Sequence, residues 1–197
     1  MQDRRAFLQA AAAAAVVSQT VRGPNEKINV AVIGTGGRMN LLIDAYLKQP
    51  DVNIAALCDV DSNRLNQFAA KFGLKAATVK DYRRILERKD IDAVVIATPD
   101  HWHSPMLIDA VGAGKDVYVE KPVSNTIPAA VKMLQAARNS KQVVQVGTQQ
   151  RSWPHFQECC KMIRDGEIGN VTQVIVNHNS GGGMGGQQAP AAPEPVP

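Results

Sequence analysis

The chain has 197 residues, 45% of them hydrophobic and 5% aromatic, with a net charge of +4. That length suits one globular core and part of another, and few aromatics among many alanines favour helices packed on a parallel sheet over a β-sandwich. The basic residues are scattered except at Arg83, Arg84, Arg88 and Lys89, which read as a solvated helix face. With no basic stripe interleaved with aromatics, a nucleic-acid partner is not expected. The three cysteines, Cys58, Cys159 and Cys160, offer neither a disulfide framework nor a metal-ligand spacing.

The first segment is Arg4-Arg5-Ala6-Phe7-Leu8 followed by an apolar run over 10–17. A charged region before a short hydrophobic one is the layout of a secretory signal, and the run is too short to span a bilayer. The paired arginines before Phe7-Leu8 resemble the twin-arginine export motif. Asp3 stands where Ser or Thr is usual, and Gln9 where Lys is usual. The resemblance implies the twin-arginine machinery as a partner and a periplasmic location, with residues 1–26 as signal and linker. The alternative is an alanine-rich helix capping the domain.

From residue 27 strands and helices alternate. Residues 28–33 are a continuous apolar run ending in glycines, the mark of a buried parallel strand. A helix follows over 38–48, with Leu41, Leu42, Ala45 and Tyr46 on one face, stopped by Pro50. Next come a strand at 52–58, a helix at 61–72 ending before Gly73, a short strand at 76–79, and a helix at 81–88 with Asp81 as its cap. Strands at 92–97, 116–119 and 142–146 are separated by helices at 102–111 and 127–139. Single helices between strands mean right-handed crossovers, hence an α/β doubly wound parallel sheet over 27–147. Beyond Gly147 the pattern predicts a helix at 153–165, a turn, and an alternating strand at 171–177, the start of a second domain over 148–179. Residues 180–197, rich in Gly, Gln and Pro, have little to bury and are expected to be disordered.

The loop Gly34-Thr35-Gly36-Gly37-Arg38 lies between a buried strand and a helix. Gly34 permits a tight turn, Gly36 lets backbone approach a pyrophosphate, and the helix N-terminus offers free N–H groups to phosphates. The sixth motif position is Met39 where Gly or Ala is usual. Asp59, closing the second strand, is placed to accept from ribose hydroxyls and to repel a 2′-phosphate, which favours NAD over NADP. The alternative, given less weight, is that it caps the next helix. Arg38 argues the other way, since an arginine nearby can hold a 2′-phosphate.

Ligands of an open parallel sheet lie beyond the strands' carboxyl ends. There the chain carries Thr98-Pro99-Asp100-His101-Trp102-His103, Glu120-Lys121-Pro122 and Gly147-Thr148-Gln149-Gln150-Arg151. Together with the glycine loop and Asp59, in this order, these segments resemble the Gfo/Idh/MocA oxidoreductases, with Glu120-Lys121-Pro122 the most specific element. The resemblance runs from about Lys27 to Asn177 and implies a Rossmann domain binding NAD or NADP, acting on a sugar, inositol or similar carbohydrate-like alcohol. It implies that Lys121 stands beside the reacting carbon, that Glu120 fixes the nicotinamide ribose or Lys121, and that a cis bond can precede Pro122. His103 matches a family histidine, read here either as catalytic or as a helix cap. Thr98, Pro99, His101 and Gln149 are expected along the cofactor cleft, and Gln149 and Arg151 lie where members turn toward the substrate domain. The family's main catalytic histidine belongs to a C-terminal domain of which one helix and one strand are seen, so the chain reads as truncated. The full-length form is expected to be a homo-oligomer. NAD-dependent glycoside cleavage and an inactive cofactor-binding remnant are the alternatives.

Overall fold

The computed structural model describes residues 27–175; the signal-like segment and the 180–197 tail lie outside them. Six parallel strands form one sheet: β1 (Ile28–Ile33), β2 (Val52–Cys58), β3 (Ala77–Val79), β4 (Ala93–Ile96), β5 (Asp116–Glu120) and β6 (Val144–Gly147), in the order β3-β2-β1-β4-β5-β6. The doubly wound α/β fold expected from the alternating pattern is the one found. The helices are α1 (Gly37–Leu47), α2 (Ser62–Lys71), α3 (Arg83–Leu86), α4 (His103–Gly112) and α5 (Ile127–Asn139).

The sheet divides its side chains by the two-residue period of a strand. On one face Val30 and Val32 of β1, with Ile54, Leu57 and Val95, pack on Met39 and Ile43 of α1 and on Leu65 and Phe68 of α2. On the other, Ala31, Ile33, Val94, Ile96, Val117 and Val119 pack on Leu107, Ala110 and Val111 of α4 and on Met133 of α5. Because both faces are covered, β1 and β4 are apolar throughout their buried length. Each large apolar side chain removed from water stabilises the domain by roughly 1.5–3 kcal/mol. The winding reverses between β1 and β4, which opens a crevice at their carboxyl ends.

Met39, in place of the motif's third glycine or alanine, is fully buried between α1 and the sheet. The helix therefore fills that space with a side chain rather than packing backbone against the strand. The helix expected at 81–88 is shorter, Arg83–Leu86, with Tyr82 in the cap position; Asp81 still accepts from the Arg83 N–H at 3.0 Å. A 3₁₀ turn over Asp100–Trp102 precedes α4, so that helix begins at His103.

The chain divides into two units, the second beginning at Gln149. It contains a 3₁₀ turn over Gln149–Ser152 and helix α6 (Pro154–Arg164). The strand predicted at 171–177 is not formed over its described residues 171–175, where Val174 and Ile175 are exposed. Alternation alone does not make a strand: extended backbone needs a neighbour to pair its N–H and C=O groups, and no described segment pairs with this one.

Candidate functional site

The crevice is built around the turn after β1. Gly34 has φ of +91°, and a Cβ there would lie 2.8 Å from the Ala97 carbonyl oxygen. The position thus needs glycine for its backbone angle and for the approach of the β4 end. The Gly34 N–H donates to the Cys58 carbonyl at 2.8 Å, which ties the turn to the end of β2. Gly36 caps α1 with no side-chain acceptor, so the first N–H groups of that helix have no capping side chain. Gly37 opens the helix and has open space where a Cβ would stand.

Asp59 is buried beside this loop. Its Oδ2 accepts from the backbone N–H and the hydroxyl of Thr35, at 2.8 and 2.9 Å, and its Oδ1 from the Asp61 N–H at 3.0 Å. Burial opposes the charge, but the Thr35 and Asp61 donors with the nearby Arg64 outweigh it and hold the carboxyl below its ordinary range. The cap of α2 is Asp61, which accepts from the Asn63 and Arg64 N–H groups. Asp59 is thereby left for the loop, with lone pairs free for a further donor.

A cavity of about 620 Å³ opens here, lined by Gly34, Gly36, Asp59, Thr98, Pro99 and Trp102. Arg64, Lys80 and Arg83 also line it. Arg83 is exposed, as a solvated helix face expects; its guanidinium lies 4.8 Å from the Tyr82 ring centre and bonds Asp81 at 3.3 Å. The Arg64 guanidinium comes within 3.7 Å of the Cβ position of Gly36. Burial first, then the Asp59 charge, pushes the Cys58 thiol up to about 12, so it is no nucleophile. His101 falls outside this cavity: it lines a second, shallow depression with Ser104, Thr126 and Lys132.

At the ends of β4 and β5 the His103 ring is 1% exposed. Its Nδ1 lies 2.7 Å from the Pro122 carbonyl oxygen and its Nε2 3.0 Å from that of Thr98. Both nitrogens face backbone carbonyls, so the buried ring bridges the two strand ends, with the tautomer deciding which nitrogen donates. It is not the helix cap, since no side-chain cap bond starts α4.

Glu120 is buried, and both its oxygens are engaged. Oε1 accepts from Arg38 Nη2 at 2.9 Å and from the Tyr118 hydroxyl at 3.0 Å; Oε2 accepts from the Lys121 N–H at 3.1 Å. Its partners are Lys121 and the protein interior. Arg38 consequently points toward the end of β5, not toward Asp59 at the end of β2, and cannot serve a 2′-phosphate there in this orientation. The hydrogen bond to Glu120 raises the Arg38 pKa, and burial followed by the Glu120 charge pushes the Tyr118 hydroxyl up to about 12. Lys121 itself is exposed, and the Lys121-Pro122 bond is cis. Gln149, exposed, belongs to the second unit.

Tyr118, Arg64 and Lys80 were missed from the sequence. Tyr118 stands two residues before Glu120 on the same strand, so the two-residue period was the available signal. Lys80 lies just beyond the end of β3 and Arg64 in the first turn of the helix that follows β2, on the side where the strand-end rule points.

The donor set fits a dinucleotide. The α1 N-terminus lacks a side-chain cap, the Arg38 Nε is a buried donor with no partner among the described residues, and the Gly34 turn leaves no room for a side chain. With the strand order and Asp59, these features define a dinucleotide-binding Rossmann domain. Residues 28–148 match the oxidoreductase family Gfo/Idh/MocA, with its NAD-binding Rossmann fold, and the chain belongs to that family.

The chain is similar to an inositol 2-dehydrogenase of Rubrobacter xylanophilus, 30% identical over 151 residues that cover 76% of this chain and 43% of the relative. It is also similar to a glycosyl hydrolase family 109 protein of Stenotrophomonas maltophilia, 37% identical over 131 residues, 59% of this chain and 29% of the relative. Among solved structures, myo-inositol 2-dehydrogenase from Lactobacillus plantarum aligns with a TM-score of 0.68 and 26% identity, over 74% of this chain and 43% of that one. The chain thus spans less than half the length of these relatives.

Proposed function

We propose that this chain supplies the dinucleotide-binding part of an oxidoreductase that transfers hydride between NAD and a sugar- or polyol-like alcohol. The observation that carries the reading is the cavity at the β1–β4 reversal, with the glycine loop and the Asp59 carboxylate in its wall. Glycine-loop N–H groups and the Arg38 Nε hold the pyrophosphate, Asp59 takes the ribose hydroxyls, and Thr98, Pro99 and Trp102 wall the cleft. A bound NAD supplies the hydride acceptor. Lys121, exposed at the end of β5 with its backbone held by Glu120, hydrogen-bonds the substrate hydroxyl and stabilises the alkoxide that develops as hydride leaves.

Two measurements test this. Titration should show NAD binding more tightly than NADP, with the preference lost in Asp59→Ser; tighter NADP binding in the native chain overturns the assignment. Oxidation of a polyol panel should fall about 10²–10⁴-fold in Lys121→Ala while NADH binding is retained. Equal rates in both chains would remove Lys121 from the chemistry.

A second reading has support in the glycosyl hydrolase family 109 relative. There, oxidation and re-reduction of one sugar would activate cleavage. Sugar release without net NADH separates it from simple oxidation. We further propose that Arg4-Arg5-Ala6-Phe7-Leu8 directs twin-arginine export to the periplasm. Replacing both arginines by lysine should leave the protein in the cytoplasm, and continued export would refute this route.

A further inference from the structure

The end of β5 holds a cluster that joins the glycine loop to Lys121. Glu120 is 2% exposed and serves two masters with its two oxygens. Oε1 receives Arg38 and Tyr118, and Oε2 receives the Lys121 N–H. Arg38 is the second residue of α1, directly after the loop. Its Nη2 is engaged by Glu120, while its Nε is buried without a partner among the described residues. A buried donor left unpaired is costly, and beside an uncapped helix N-terminus the acceptor that completes it is an anion.

We propose that Arg38 is a positioning residue for Lys121: it carries occupancy of the glycine loop through Glu120 to the Lys121 backbone. A pyrophosphate that takes the Nε–H fixes the guanidinium plane. Nη2 then holds the Glu120 carboxylate in one orientation, and Oε2 stays aligned with the Lys121 N–H. Lys121 is ordered when the dinucleotide is bound and looser when it is not. By linkage, fixing Lys121 strengthens dinucleotide binding by the same factor. The inference rests on the dinucleotide reading.

ADP-ribose separates this route from direct contact, because it carries the pyrophosphate and lacks the nicotinamide. Amide hydrogen exchange of the Lys121 N–H is followed in the whole chain with and without ADP-ribose, with calorimetry reporting whether it binds. In the native chain exchange should slow about fivefold or more on binding. Glu120→Gln puts a donating NH2 at one of the two oxygen positions, so the side chain no longer accepts both from Arg38 on one side and from the Lys121 N–H on the other; it should bind ADP-ribose and show no slowing. Arg38→Lys, which lacks the Nε–H, should lose the slowing as well and serves should Glu120→Gln fail to fold. Tyr118→Phe keeps the Arg38–Glu120–Lys121 line and should retain it. If Glu120 were only structural, its replacement would speed exchange equally with and without ADP-ribose, and the slowing factor would survive. That result, or bound ADP-ribose with no slowing in the native chain, overturns the inference while leaving the dinucleotide reading standing. Failure of ADP-ribose to bind at all overturns both.

Discussion

Asp59 and Gly34 show how single residues close the loop onto the sheet. Three donors converge on the Asp59 carboxylate. Its pKa is depressed in the folded chain, so its contribution is fully present above the unfolded value of about 3.9 and is lost as pH falls through the folded value. Urea midpoints should therefore hold steady from neutral pH downward and fall only below about pH 4. Asp59→Asn should flatten that acid limb and cost about 1–3 kcal/mol at neutral pH, since a buried donor loses its acceptor. Gly34→Ala combines a left-handed backbone angle with a contact of 2.8 Å to the Ala97 oxygen. A loss of about 1–3 kcal/mol is expected, read as a lower thermal midpoint. Asp59 was legible because strand ends are. The His103 ring was not, because its direction is set by carbonyls of Thr98 and Pro122 that meet only in the fold.

At the scale of elements, the stretch Asp59-Val60-Asp61 divides two tasks that the sequence left open. Asp61 Oδ1 caps α2, accepting at 2.9 and 3.2 Å. Asp61→Ala should cost about 1 kcal/mol in a denaturant titration and leave the Thr35–Asp59 bonds in place. Had Asp59 been the cap, the same change would have been nearly silent. The strands and long helices were readable within a residue or two because burial imposes a period on them. The short α3 was overestimated, since four helical residues leave almost no periodic signal. The alternation over 171–175 misled for another reason: pattern reports which face a strand would bury, while pairing depends on a neighbour.

For the whole molecule, sheet order decides which strand ends meet, and sequence distance conceals it. Arg38 and Glu120 are 82 residues apart yet bonded at 2.9 Å, because α1 leads out of β1 and β5 lies two places along the sheet. Reading Arg38 as a 2′-phosphate ligand was reasonable from the sequence, where it stands near the glycine loop. The sheet turns it toward the other side of the reversal. Gly147 has a different kind of consequence. In register with Glu120 across the β5–β6 pair, it leaves the space that the Tyr118 hydroxyl and Glu120 Oε1 occupy, 2.5 and 2.7 Å from where a Cβ would stand. A side chain at 147 is therefore tied to what stands at 118 and 120. Any descendant that acquires a side chain at 147 must first give up the tyrosine hydroxyl or move the glutamate, and with it the grip on Lys121.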